Sequence, residues 1–193
     1  MKNNILVIAV LGALSSTAMA EGFYGVMDVG RSNAEDMCSA TNFGGNTSCS
    51  TRATAFRVGG GYNFTRHIGV ELNYGDLGNV NPVYSPGYSQ STKATTIQAA
   101  ATGSWPITNK FSVIGKLGLA QTKFKQTWTT GSAHATDTNI SYGVGAQYAL
   151  SNSFAVRIQY EDLGKVGSLP ITATSGTGRS RITLLSAGVI YNF

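Results

Sequence analysis

The chain of 193 residues closes on Ser186-Ala187-Gly188-Val189-Ile190-Tyr191-Asn192-Phe193, and this stretch decides the fold. Counting back by twos from the terminal aromatic residue gives one apolar face, made of Phe193, Tyr191, Val189, Ala187 and Leu185. The other face carries Asn192, Gly188 and Ser186, with Ile190 and Leu184 as its apolar members. Successive side chains of a β-strand point to opposite faces. The stretch therefore predicts a strand with one face set against apolar surroundings.

The same alternation recurs along the chain and is interrupted by turn-forming residues. Eight strands are predicted, over residues 22–31, 52–64, 68–77, 94–105, 111–125, 138–149, 154–162 and 181–193. Short connections at 65–66, 106–109 and 151–152 alternate with long ones at 32–50, 78–91, 126–137 and 164–178. Transmembrane barrels have short periplasmic turns and long external loops. We therefore predict an all-β fold, an eight-stranded antiparallel up-and-down transmembrane β-barrel with both termini in the periplasm.

Residues 1–20 have the composition of a secretory signal peptide. Lys2 gives a basic start, residues 5–14 are apolar, and Ala18-Met19-Ala20 forms a small-residue cleavage site. The barrel domain is then expected over residues 21–193. The basic residues are scattered rather than clustered, which argues against a nucleic-acid partner although the formal net charge is +5.

When every second residue of each strand is assigned to the lipid-facing side, aromatic residues cluster at the end of the barrel that has the short turns. This predicted aromatic girdle consists of Phe23, Tyr62, Phe64, Trp105, Phe111, Tyr148, Phe154, Tyr191 and Phe193. Aromatic side chains concentrate at the two interfaces of a membrane barrel. In a soluble sandwich or a lipocalin-like barrel the same parity would face a core. A ring of aromatic residues at one end favours the membrane barrel.

Several segments are similar to the OmpA-like family of eight-stranded outer-membrane barrels. They are Gly60-Gly61-Tyr62, Gly69-Val70-Glu71-Leu72-Asn73-Tyr74, Trp105-Pro106-Ile107-Thr108, Gly145-Ala146-Gln147-Tyr148-Ala149, Val156-Arg157-Ile158-Gln159-Tyr160 and the closing stretch. The resemblance implies a bacterial outer-membrane location and the barrel domain alone, without the peptidoglycan-binding domain of larger members. We expect a monomer among outer-membrane lipids, with the C-terminal strand engaging the barrel assembly machinery.

The inward parity carries the charges expected at membrane depth. They are Asp28, Arg57, Glu71, Lys116 and Arg157, three positive against two negative. An eight-stranded barrel is narrow enough for side chains to fill it, so these groups must pair with one another or with trapped water. The resemblance implies that Glu71 pairs with Arg157 across the lumen, a contact regarded in that family as the gate of a small pore. A satisfied polar plug is the alternative.

A second set of charges falls on the lipid-facing parity where the strands leave the membrane. This predicted basic rim consists of Arg31, Arg52, Lys93, Lys123, Lys125 and Arg181, accompanied by Asp76 and Asp162. The outer leaflet there is lipopolysaccharide, whose phosphates suit guanidinium and ammonium donors. Binding of lipopolysaccharide is one interpretation, and a solvated rim without a ligand is the other.

The remaining reactive residues do not form a catalytic pattern. Cys38 and Cys49 are expected to form a disulfide in the oxidising periplasm, worth about 3 kcal/mol on the chain-entropy model. Neither His67 nor His134 has the sequence context of a serine-histidine site or a zinc site, so no enzyme, cofactor or metal is expected. Three functions remain, namely a structural barrel that engages lipopolysaccharide, a narrow gated porin-like pore, and an adhesin or receptor whose loops, such as 79–90, bind an extracellular ligand.

Overall fold

A computed structural model describes residues 22–35, 51–80, 91–128, 131–167 and 179–193. It contains eight strands, β1 Gly22–Ala34, β2 Arg52–Asn63, β3 Ile68–Val80, β4 Ser91–Pro106, β5 Phe111–Trp128, β6 Gly131–Ala149, β7 Phe154–Gly167 and β8 Arg179–Asn192. The strands close in sequence order into one barrel, each antiparallel to its neighbours, and β1 pairs with β8. The predicted eight-stranded antiparallel barrel is confirmed. The expected signal peptide, Cys38 and Cys49 lie outside the described residues.

The outer surface of the barrel wall is apolar, as the alternation predicts. Along β1, Met27 and Val29 expose more than half of their surface, whereas the intervening Asp28 is 2% exposed. Leu117 on β5 is 62% exposed and Trp105 on β4 is 73% exposed. A soluble protein rarely exposes an apolar surface of this extent, but lipid covers one in a membrane barrel. In the described part of the chain no helix has the length and apolarity to cross a membrane.

Three tight turns of the same design join strands at one end of the barrel. They occupy residues 64–67, 107–110 and 150–153. In each, the first backbone amide donates to the carbonyl of the residue that opens the next strand, as from Phe64 to Ile68 at 3.0 Å. A hydroxyl side chain at the second position (Thr65, Thr108 or Ser151) accepts an amide hydrogen bond across the turn. We call this end, expected to face the periplasm, the short-turn end.

The strands extend further at the opposite end than the sequence predicts. β5 continues to Trp128 rather than to residue 125, and β6 begins at Gly131 rather than at 138. Outward residues become polar there, but inward residues such as Phe124 and Ile182 become apolar and are 4% and 2% exposed. The alternation therefore inverts where the strands leave the membrane. A prediction that requires apolar residues on the outer face ends the strands too early.

β3 and β7 carry a repeated segment at this outer end. The two copies are Tyr74-Gly75-Asp76-Leu77-Gly78-Asn79-Val80 and Tyr160-Glu161-Asp162-Leu163-Gly164-Lys165-Val166. Each copy contains a register shift, after Asp76 in the β3–β4 pair and after Asp162 in the β7–β8 pair. The glycines Gly78 and Gly164 have φ values of +86° and +87°, a conformation that glycine adopts without strain. We call these two bulges the twin bulges.

The twin bulges divide the outer part of the wall into two sheets. The β2–β3 ladder ends at Phe56 and Asp76, and the β6–β7 ladder ends at Tyr142 and Asp162. The β3–β4 and β7–β8 ladders continue past these points. Above the bulges, β7-β8-β1-β2 and β3-β4-β5-β6 are therefore two separate four-stranded sheets, which at lower levels are joined into a cylinder.

Candidate functional site

Six charged side chains meet in the lumen and form what we call the charged layer. They are Asp28, Arg57, Glu71, Lys116, Arg157 and Glu161, each at most 6% exposed. The structure thus brings together all five charges that the sequence placed inside the barrel. A buried charge is tolerated when ion pairs and hydrogen bonds replace its water shell.

Glu71 has the most hydrogen bonds in this layer. Its carboxylate accepts from Lys116 Nζ at 2.5 Å and from Arg157 Nη1 at 2.8 Å. It also accepts from the Tyr24 hydroxyl at 2.9 Å and from the Asn73 amide at 2.8 Å. The contact between Glu71 and Arg157 that the family resemblance implied is therefore present in the geometry, with Lys116 as a second cation on the same carboxylate.

Arg57 joins two other carboxylates. Its Nε and Nη2 atoms donate to Asp28 Oδ2 at 3.0 Å and 2.9 Å, and its Nη1 atom donates to Glu161. Arg157 Nη2 lies 3.3 Å from the same Asp28 oxygen. Since a guanidinium presents several donors in a rigid plane, each arginine can hold two acidic partners at once.

The sequence pattern did not predict that Glu161 belongs to the charged layer. The predicted layer had three positive against two negative groups, whereas the observed one has three of each, because Glu161 is fully buried and lies 3.5 Å from Lys116 Nζ. The signal was present, since Glu161 follows Arg157 and Gln159 on the same parity of β7. Its position near the predicted strand end, beside the rim residue Asp162, concealed its inward orientation.

Glycines lie between the partners of three interactions in the lumen. Gly188 is paired in register with both Asp28 and Arg157, and Gly143 with both Lys116 and Glu161. Gly61 lies in the same way between Tyr24 and Glu71. Partners two strands apart are separated by about 10 Å of wall. Their side chains meet over the intervening strand because glycine has no Cβ to obstruct them.

A polar cavity of about 890 Å³, which we call the vestibule, leads from the short-turn end to the charged layer. Neutral polar residues line its wall, among them Asn63, Thr102 and Gln147. Its inner end is formed by Glu71, Lys116 and Arg157. Water and small solutes from that side therefore have access to the charged layer.

The predicted basic rim lies at the outer end of the wall, with two ion pairs in it. Arg31, Arg52, Lys93, Lys123 and Lys125 are exposed, and Arg181 is half-buried. Lys93 Nζ pairs with Asp76 at 2.7 Å, and Arg181 pairs with Asp162. Asp162 lies on the outward parity expected of it, but its carboxylate is buried between its partners Arg181 and Tyr142, and it accepts from the Tyr142 hydroxyl at 2.9 Å.

The nine residues of the predicted girdle ring the short-turn end. Eight are exposed and Tyr62 is half-buried, and Phe23, Tyr62 and Phe64 make edge contacts with centroids 4.8 Å and 5.2 Å apart.

His134, expected in a loop, instead lies on β6 with an exposed side chain opposite Lys125. Within the described residues, no three histidine, cysteine or acidic side chains are placed to hold a metal ion.

We expect Trp105, the most exposed member of the girdle, to report the membrane interface. The chain has two tryptophans, so a Trp128→Phe variant leaves Trp105 as the only indole. In lipid vesicles its fluorescence should be quenched more by bromine near the headgroup end of an acyl chain than by bromine at the chain end. Equal quenching at both depths, or none, would contradict the interfacial position.

Comparison with known proteins agrees with the fold. A family model described as an outer membrane protein beta-barrel domain matches residues 6–193. Outer membrane protein A of Serratia marcescens is 30% identical over 139 residues, 69% of this chain and 37% of the relative. The same protein of Shigella dysenteriae is 31% identical over 140 residues, 69% of this chain and 38% of the relative. The chain thus spans under two fifths of the length of these relatives.

Solved barrels match the whole architecture. Neisserial surface protein A has a TM-score of 0.60 at 20% identity, covering 90% of this chain and 99% of that one. The attachment invasion locus protein Ail of Yersinia pestis has a TM-score of 0.53 at 18% identity, with the same coverage. Similarity at such identities establishes the fold alone. Together with the family match it shows that the chain belongs to the outer membrane protein beta-barrel domain family and is an integral protein of the bacterial outer membrane.

Proposed function

We propose that this protein is a structural barrel of the outer membrane whose basic rim binds the phosphate groups of lipopolysaccharide. The observation that carries the proposal is a cluster of lysines on the outward face of β4 and β5. Lys93 lies directly opposite Lys125 in the register of these strands, and Lys123 lies opposite Thr95. Like charges placed opposite each other on a sheet repel, and an anion held between them would offset that cost.

The charge and exposure of these lysines fit such a ligand. Lys93 is paired with Asp76, whereas Lys123 and Lys125 have no carboxylate within ion-pair distance among the described residues. Two residues along a strand span about 7 Å, so Lys123 and Lys125 present two ammonium groups to one side. A phosphate accepts charge-assisted hydrogen bonds from several such donors at once.

A matched pair of charge reversals tests the proposal. Lys123→Glu/Lys125→Glu changes the outer rim, and Arg66→Glu/Lys110→Glu makes the same change in charge at exposed positions of the short-turn end. We expect the first double variant to lose about tenfold in affinity for lipopolysaccharide, because two charge-assisted contacts disappear. The second should stay within about twofold of the parent. Equal affinities for all three proteins would contradict the proposal.

Two further probes identify the ligand chemistry. Lipopolysaccharide stripped of its lipid A phosphates should bind the parent barrel as weakly as intact lipopolysaccharide binds Lys123→Glu/Lys125→Glu. Ail of Yersinia pestis was solved in complex with the heparin analogue sucrose octasulfate. If this sulfated anion displaces lipopolysaccharide equally from the parent barrel and from the Arg66→Glu/Lys110→Glu control, the rim is the shared site. Retained affinity for the dephosphorylated form would assign binding to the acyl chains instead.

A narrow pore and an adhesin are the alternatives. A pore would have the vestibule as its inner mouth, since the cavity ends at Glu71 and Arg157. An adhesin would act through the long loops, most of whose residues lie outside the described part of the chain. The lysine cluster favours the lipopolysaccharide-binding barrel over both.

A further inference from the structure

The lumen changes character at its outer end, beyond the charged layer. Nine buried apolar residues form one cluster across it, which we call the apolar plug. They are Ala55, Leu77, Ala94, Ala120, Phe124, Leu163, Val166, Ile182 and Leu184, and all are at most 5% exposed. Both outer sheets contribute, with Leu163 and Ile182 from one and Leu77 and Phe124 from the other. Above the membrane the barrel therefore has the packed interior of a sandwich of two sheets.

The plug and the vestibule occupy opposite ends of the lumen. On β4 the inward side chains run from Thr102 in the vestibule, through Gln98 beside the charged layer, to Ala94 in the plug. A layer of packed apolar side chains offers water no hydrogen-bond partners, so water does not fill it and ions do not cross it. The charged layer, by contrast, has ample polar partners and adjoins the vestibule.

The twin bulges hold the two central leucines of the plug. In each bulge the aspartate accepts the amide of the glycine two residues on, from Gly78 to Asp76 at 2.9 Å and from Gly164 to Asp162 at 2.8 Å. The residue between them, Leu77 or Leu163, is turned into the lumen and is 2% or 0% exposed. A basic residue of the next strand fixes each aspartate from outside.

Side-chain contacts replace the ladder bonds that are lost beside the bulges. The Ser32 hydroxyl donates to the Leu77 carbonyl oxygen at 2.6 Å, next to the gap between β2 and β3. Across the other gap, the Gly167 amide donates to Asp137 Oδ2 at 2.8 Å. Both gaps are therefore bridged by polar contacts around an apolar centre, and the Leu77 backbone is held by Ser32 as well as by its bulge.

We propose that the apolar plug, held by the twin bulges, seals the outer end of the lumen and makes the vestibule a cavity open to the periplasm alone. The charged layer then lies on the periplasmic side of the permeability barrier. Rearrangement of ion pairs around Glu71 would not by itself open a path across the membrane. Removal of the leucines would expose the level beneath the plug to solutes from outside.

Thiol accessibility from the outer side tests the seal. Thr96 is 1% exposed and lies on β4 between Ala94 and Gln98, so Thr96→Cys in a Cys38→Ser/Cys49→Ser background places one thiol beneath the plug. An impermeant cationic methanethiosulfonate added outside should modify it slowly. Adding Leu77→Ala/Leu163→Ala should raise the rate at least tenfold. The control Leu117→Ala/Leu119→Ala removes two lipid-facing leucines and should leave the rate unchanged.

Two results would overturn the proposal. One is fast external modification of Thr96→Cys with the plug intact, and the other is an unchanged rate in a Leu77→Ala/Leu163→Ala barrel whose heat-dependent gel shift shows that it is folded. If that variant does not fold, the proposal is tested in the intact barrel by the side of the membrane from which a thiol in the vestibule can be modified. Thr102→Cys in the vestibule should react with reagent on the periplasmic side only, and reaction from both sides would show that the lumen is open.

Discussion

Replacing Glu71 with alanine is expected to destabilise the barrel by about 3 to 5 kcal/mol, the usual cost of removing one partner from a buried ion pair. Arg157 and Lys116 would lose the carboxylate that both contact, and the Tyr24 hydroxyl would lose its acceptor. Arginine cannot relieve its burial by releasing a proton. The charged layer would then hold three cations and two carboxylates. Only water in the vestibule could solvate the unbalanced positive charge.

Urea unfolding of the barrel in lipid vesicles measures this effect, with the heat-dependent gel shift as a check of folding. Glu71→Gln should cost less than Glu71→Ala, because the amide oxygen still accepts a hydrogen bond. Glu35→Ala removes the same carboxylate from an exposed position and should change stability by less than about 0.5 kcal/mol. If Glu71→Ala unfolds at the same urea concentration as Glu35→Ala, the charged layer does not stabilise the fold.

Gly188→Ala is expected to destabilise the barrel by about 3 kcal/mol, although it adds a single methyl group. A Cβ at this position would lie 2.5 Å from the Met27 carbonyl oxygen and would overlap the carboxylate of Asp28. Backbone cannot move aside as a flexible side chain can. The methyl group would also stand between Asp28 and Arg157, whose ion pair crosses over Gly188.

Gly115 supplies the matched control for this substitution. It lies on β5 facing outward, and a Cβ built there has no neighbour within 4 Å. Gly115→Ala should be neutral or slightly stabilising, since alanine lowers the entropy of the unfolded chain. Equal unfolding midpoints for the two variants would show that the glycines in the lumen are not required for space.

The fold was largely predictable because a membrane strand needs one continuous apolar face. The predicted starts of β3, β5 and β7 at residues 68, 111 and 154 coincide with those observed. Near the short turns the lipid-facing parity stays apolar or aromatic up to the strand end. At the outer ends the same rule failed, because strands such as β5 continue with lysines outside and Phe124 inside.

Parity predicted five of the six members of the charged layer, but it predicted none of their partners, and only the Glu71–Arg157 pair was implied by the family resemblance. Parity alone places Arg57, Arg157 and Glu71 inside, because no other environment accepts them at membrane depth. Which carboxylate each cation contacts depends on register and on the glycines between strands, and a single strand pattern holds no such information. Glu161 and the twin bulges lie where the regular alternation ends. There the lumen-facing Glu161 and Leu163 flank Asp162, whose partners Tyr142 and Arg181 lie on the outer face, so polarity no longer distinguishes the two faces.

The pairing of β1 with β8 has a consequence for the kinetics of assembly. Every other ladder joins strands that follow each other in the chain, so it closes as a local hairpin. The last ladder runs from Tyr24 with Asn192 to Ala34 with Ile182, across nearly the whole chain. Contacts so distant in sequence form slowly, because the loop entropy is lost before they are gained. Until β8 arrives, β1 and β7 each keep an open edge, so slow docking of one strand sets how long the nascent sheet is exposed to edge-to-edge association.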